Sequence, residues 1–223
     1  MRAILRSLYC LLLLTSFVDR LAYAEELQPI AIELPDPIFG GTPYDGPSNN
    51  LESVVIEPRA PFLAPASTIL LSRGKPVSSS DPAPLKGALA QVTDGSKDPQ
   101  DPSQVVLHSG LQWIQINLGS PASIQVILLW RTYRGTLYYF DTVVQISNDP
   151  AFLHDVTTIF NNDIDNSSGL GQGTGKYYFE RYDGRLFDAK GTLGQYVRIY
   201  ANGNCWGTTN HFTELEVFGN IDK

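Results

Sequence analysis

Between residues 69 and 219 no stretch repeats apolar residues at the spacing of a three-turn amphipathic helix, and this absence most limits what the chain can become. What recurs instead is short apolar alternation closed by turn residues. Gln112-Trp113-Ile114-Gln115-Ile116-Asn117-Leu118 alternates polar and apolar, and Gly119-Ser120-Pro121 reads as the turn that ends it. Residues 124–130 are nearly all apolar, as expected for a strand covered on both faces. Residues 142–147 and 196–201 read as further strands. Many short strands with Gly and Pro turns predict an all-β fold, a β-sandwich, and roughly 150 residues suit one such domain.

The last strand, "NHFTELEVFG" (210–219), places Phe212, Glu214, Glu216 and Phe218 on one face and Thr213, Leu215 and Val217 on the other. Two carboxylates between phenylalanines need partners, because an ionised carboxylate is not buried alone. Glu216 is expected at the sheet surface or paired with Arg198 of the strand "YVRIY".

The flanks differ in texture. Arg2 and Arg6 precede an apolar run, and Ala22-Tyr23-Ala24 is a small-x-small pattern, so residues 1–24 read as a secretory signal peptide. Removing it takes the formal net charge from −7 to about −9, which disfavours nucleic acid and anionic membrane as partners. Cys205 is then the only cysteine, so no intrachain disulfide forms. Residues 25–68 hold eight of the 15 prolines and read as an extended, partly docked arm. The sandwich spans 69–219 and the tail 220–223. Secretion or a place in the cell envelope follows, with no transmembrane segment once the signal is removed.

Nothing in the chain has the spacing of a catalytic centre. Its three histidines, His108, His154 and His211, lack metal-like spacing, and neither a nucleophile elbow nor a phosphate loop occurs. The chain therefore reads as a non-enzyme. The interval 161–175, "NNDIDNSSGLGQGTG", is too long and polar for an ordinary connection. Its Asp163 and Asp165 suggest either a second cation loop or a solvated polar loop.

The segments "LLSRGKPVSSS" (70–80), "QVTDGSKD" (91–98), "LQWIQINLG" (111–119), "VILLW" (126–130), "VVQISND" (143–149), "QYVRIYANG" (195–203) and "TELEVFG" (213–219) follow one another in an order that resembles the coagulation factor 5/8 type C (discoidin) family. The middle is similar to secreted discoidin-like proteins of planctomycete-type bacteria. The resemblance implies a galactose-binding-like jelly roll with its first and last strands close together, and binding without catalysis, most often of glycans. It also implies a structural Ca²⁺ held by Asp94, Glu214 and the carbonyls of Gln91, Ser96 and Thr213. Hard oxygens of this kind suit Ca²⁺. The other reading is that Asp94-Gly95 is only a turn and that Glu214 pairs with an arginine.

A sugar site needs aromatic rings for the apolar face of a pyranose and fixed polar groups for its hydroxyls. Two clusters offer them: Arg131, Tyr133, Arg134, Tyr138 and Tyr139 after the buried strand, and Asn204, Trp206, Asn210 and His211 in the last loop. The expected ligand is a glycan or envelope polysaccharide. The alternative is an envelope protein or structural partner gripped by the arm.

Overall fold

The computed structural model describes residues 25–37, 50–55, 57–98, 103–133 and 135–221; the expected signal peptide lies outside them. Among the described residues eleven strands run in order: β1 Leu27–Pro29, β2 Leu63–Pro65, β3 Ile69–Leu70, β4 Val77–Ser79, β5 Val105–Leu107, β6 Gln112–Trp130, β7 Val143–Ser147, β8 Thr157–Asn161, β9 Arg185–Ala201, β10 Asn210–Phe212 and β11 Glu214–Asn220. Among the described residues the helical segment is a 3-10 turn, Leu89–Thr93, and no helix is long and apolar enough to cross a membrane.

The main sheet is antiparallel, ordered β3-β11-β6-β9-β7-β8, with β4 also on β6. β6 and β9 pair on both sides of a register shift between Asn117 and Ala122. Below the shift β6 carries β4, and β9 carries β7, which in turn carries β8. Above it β6 carries β11, which in turn carries β3. Ile114, Ile116, Val144 and Ile199 of the first half share one core with Ile127, Leu129, Leu215 and Val217 of the second. The two halves are the layers of a sandwich. This corrects the reading of Gly119-Ser120-Pro121 as a reversal. Gly119 takes φ +93°, and the strand runs through the triad as an irregularity in one ladder.

The terminal segment 210–219 also divides. β10 pairs with β5, whereas β11 pairs with β6, and the Thr213 amide between them donates to the Trp130 carbonyl at 2.9 Å. β3 joins β11, so the first strand of the sandwich lies beside the last.

Alternation along β6 explains its solid apolar run. Ile127 and Leu129 enter the main core, while Val126, Leu128 and Trp130 form a second cluster on the opposite face with Tyr133 and Phe218. The arm covers that face: Ile30, Ile32 and Phe62 pack against it. Polar contacts hold the arm down. Arg185 makes a bidentate pair with Glu52 at 2.7 Å per bond, and Arg59 donates to the carbonyls of Asp183 and Gly184. These contacts tie the described part of the arm to its own domain.

Phe62→Ala is expected to lower the unfolding free energy by about 2–3 kcal/mol in a urea titration, as for a partly buried phenylalanine. A change below about 0.5 kcal/mol, the size of an ordinary surface substitution, would mean that the arm is not packed on the sheet.

Candidate functional site

Glu214 opens β11 opposite Trp130, at the end of the upper layer, and both Glu214 and Glu216 are buried there. Their surroundings differ. Glu216 lies 2.6 Å from Lys97 Nζ and 3.7 Å from the Arg73 guanidinium, and Lys97 sits 4.7 Å from the centre of the Trp130 ring. The expected partner Arg198 is ruled out by topology, since β6 stands between β11 and β9. Arg198 instead donates to Gln115 Oε1 and is sandwiched between the rings of Trp113 and Phe152.

Glu214 is less well provided for. Its Oε2 accepts the Gly95 amide at 3.1 Å, while Oε1 is buried without a hydrogen-bond partner. Burial first, with Glu216 and Asp94 adding repulsion, pushes its carboxyl up to about 8 against the pull of the Gly95 amide and Arg73. The Asp94-Gly95 turn thus lies directly against Glu214. Asp94 Oδ1 takes the Ser96 amide at 2.7 Å, the Asp94 carbonyl takes Arg73, and the Gln91 carbonyl takes the Asp94 amide at 3.4 Å. A buried, unpartnered carboxylate oxygen beside a second carboxylate and loop carbonyls is a donor set of the kind a hard dication accepts.

The two aromatic clusters do come together. The Phe140 amide donates to the Gly203 carbonyl, the Asn202 amide to the Phe140 carbonyl, and the Cys205 amide to the Tyr138 carbonyl. Within this assembly most of the expected contact residues face inward. Arg131 is fully buried, 3.1 Å from Thr142 Oγ1, 3.7 Å from Glu180 and stacked on the Tyr139 ring. Tyr133 packs in the cluster beneath the arm, and Tyr138 stacks on Tyr177. Asn204 holds its own turn through Thr209 and Trp206, and Asn210 ties Gly203 to the carbonyls of His108 and Gly110. Burial removes these five from direct reach of a surface ligand; they shape the loop. Arg134 lies outside the described residues.

Two residues remain toward solvent. Trp206 is 61% exposed, and the outer edge of its ring approaches Gly135 so closely that a Cβ there would come 2.3 Å from the indole. Gly135 also has φ +88°, so both space and conformation call for glycine. His211 is half-buried. Its ring nitrogens are engaged by Tyr139 at 3.1 Å and Thr209 at 3.0 Å, and burial, helped by Arg131, pushes it down to about 4. It is a neutral anchor at neutral pH.

Glu180 is the residue sequence reading missed. It is buried against Arg131, and neither of its oxygens has a hydrogen bond. Burial outweighs Arg131 and Arg185 and raises its carboxyl to about 7. The only hint in the sequence was an acidic residue between Phe179 and Arg181. In the 161–175 interval, carboxylate oxygens of Asp141, Asp163 and Asp165 lie within 4.8 Å of one another. The interval is not merely solvated: Asp163 is buried and accepts the amides of Ser167 and Ser168, while Asp141 accepts Ser167 Oγ and Asn202 Nδ2.

No protein-family model and no curated protein matches the chain. Solved structures do. The family 32 carbohydrate-binding module of Clostridium perfringens NanJ, in complex with galactose, is 11% identical over 68% of this chain and 98% of that one, with a TM-score of 0.50. CpGH89 of Clostridium perfringens, in complex with GlcNAc-α-1,4-galactose, is 14% identical over 68% of this chain but only 15% of that one, with a TM-score of 0.51. Chitosan-binding module 1 of a Paenibacillus sp. IK-5 chitosanase/glucanase is 20% identical over 68% of this chain and 99% of that one, with a TM-score of 0.49. At these identities the likeness is one of fold. The chain has the galactose-binding-like jelly-roll sandwich.

Glu180 carries a pH signature. Its carboxyl is raised from 4.5 to about 7, so its contribution to stability is full below the unfolded value and is lost as pH rises through about 7. Glu180→Gln is expected to remove on the order of 2 kcal/mol of that decline between about pH 5 and 7, read from urea midpoints across a pH series. An unchanged slope would mean Glu180 is ionised throughout.

Proposed function

We propose that this protein is an exported, non-catalytic carbohydrate-binding module whose loop end grips a glycan through Trp206, with calcium supporting the loops from below. The observation that carries the reading is the Trp206 ring: an exposed indole whose edge meets Gly135, in a loop anchored by the buried Gly203, Asn204 and Asn210. An aromatic plane that keeps its apolar face in water, on an otherwise preorganised loop, is what a pyranose ring stacks on. The fold shared with sugar-bound solved structures supports it. Export rests on the character of residues 1–24.

The proposed calcium would be held by the side chains of Asp94 and Glu214 with the carbonyls of Gln91, Ser96 and Thr213. The unpartnered Glu214 Oε1 supports this assignment. Bound there, the ion would add positive charge beside Glu214, where Arg73 alone does not outweigh burial and Lys97 is engaged with Glu216.

Trp206→Ala is expected to weaken binding to the preferred sugar on a glycan array by at least about tenfold while changing stability by less than about 0.5 kcal/mol. Retained binding in that variant, or silence of the wild-type chain on every glycan, would end the sugar reading. Calcium has its own test. In EDTA the protein is expected to lose stability as pH rises through about 8, because Glu214 must ionise without a partner. Calcium at about a hundred times its dissociation constant should return about 2.7 kcal/mol, and Glu214→Gln should abolish that gain. A melting temperature indifferent to calcium in the wild type would sink the site.

A further inference from the structure

The geometry points to a second saccharide site, a groove between the edge strand β8 and the glycine-rich wall of residues 170–174, separate from the Trp206 loop. The inference rests on the reading of the chain as a sugar-binding module and adds a site to it.

The groove is shallow and open to solvent, with a volume of about 380 Å³, in the range of about 300–1,000 Å³ of small-ligand sites. Its lining holds no charged side chain, in a chain of net charge −7. Thr158, Asn161, Gln172 and Thr174 bring hydroxyls and amides, the glycines bring accessible backbone, and Phe160 and Leu170 add a small apolar surface. Such a lining has no counter-charge for an anion or a cation and too little carbon for a greasy ligand. A neutral, hydroxyl-rich ring with one apolar face matches it.

The wall is built in advance. Asn161 Nδ2 donates to the Gly171 carbonyl at 2.8 Å, and the amides of Gly173 and Gly175 donate to the carbonyls of Asp163 and Asn161 at 2.6 and 2.8 Å. Gln172 Nε2 donates to the Ile164 carbonyl and the Gly171 amide to Asn166 Oδ1. A Cβ at Gly173 would stand 2.3 Å from Asn161 Oδ1, so only glycine lets the wall approach the strand this closely. Loops of this composition are ordinarily disordered. Here hydrogen bonds, with little apolar burial, fix one shape, which lowers the entropy a ligand must overcome. The same wall argues against an added peptide strand: Gly175 already takes the outward carbonyl of Asn161, and the loop stands where a new strand would lie.

The test is an amide-resolved NMR titration of the full chain with methyl galactoside, N-acetylglucosamine and mannose. At least one sugar should shift the amides of residues 158–161 and 170–174, and should do so equally in Trp206→Ala. Thr174→Arg, which places a long charged side chain in the groove, should weaken that response about tenfold or more, and Thr174→Ser should preserve it. If sugars shift only the surroundings of Trp206, the groove is refuted and the module stands. If they shift neither region, both readings fall. Perturbation of 158–161 by an extended peptide, with no response to sugars, would equally overturn the proposal and make the edge a protein contact.

Discussion

The ladder between β6 and β9 is the constraint from which the rest follows. It pairs Gln112 with Ala201 at one end and Leu129 with Arg185 at the other. A pair of strands this long cannot stay flat over one hydrophobic face, because twist accumulates along it. The register shift between Asn117 and Ala122 divides the ladder, and its halves then serve two layers around one core. Every other strand is placed by which half it joins. The Trp206 loop follows one end of β9, and the Asp94 turn rests against β11 at the far end of β6.

The face of β6 that turns away from the main core shows why the proline-rich arm belongs to the domain. Val126, Leu128 and Trp130 need a cover as much as Ile127 and Leu129 do, and the arm supplies part of it alongside Leu70, Tyr182 and Leu186. Proline suits that task. It removes donors that a third layer lying on side chains would otherwise leave unpaired, and it lowers the entropy lost on docking. Glu214 and Glu216 lie on this same face, which is why both are buried and why their charges must be met by Lys97, Arg73 or an ion.

What was legible in the sequence is what depends on near neighbours. Strand alternation and turn residues are local, so the all-β sandwich could be read, as could the burial of Trp130. The partner of Glu216 could not, because which strand lies beside β11 is a matter of long-range order. Gly119-Ser120-Pro121 misled for a related reason: the same residues serve a reversal and an irregularity within a strand, and only the pairing on both sides distinguishes them. Arg131 and Tyr138 looked like surface recognition residues, yet polar groups go inside when partners await them, as Thr142 and Glu180 await Arg131. Trp206, flanked by turns, was readable because little else explains an indole between two nearby glycines.

The buried polar layer under the loops bears on binding as well as on stability. Arg131, Glu180, Tyr139 and His211 touch in sequence, from the ion pair through the ring stack to the Tyr139–His211 hydrogen bond and on to Thr209. Thr209 in turn receives Asn204, whose side chain fixes the amide of Trp206. A wholly apolar packing could bury as much area at lower desolvation cost. It would not fix the direction of a loop whose backbone has few strand partners, whereas hydrogen bonds of defined angle do. The charge beneath the loops is therefore best understood as the means by which one exposed ring is held in one orientation, and disturbing Glu180 should loosen the indole without touching it.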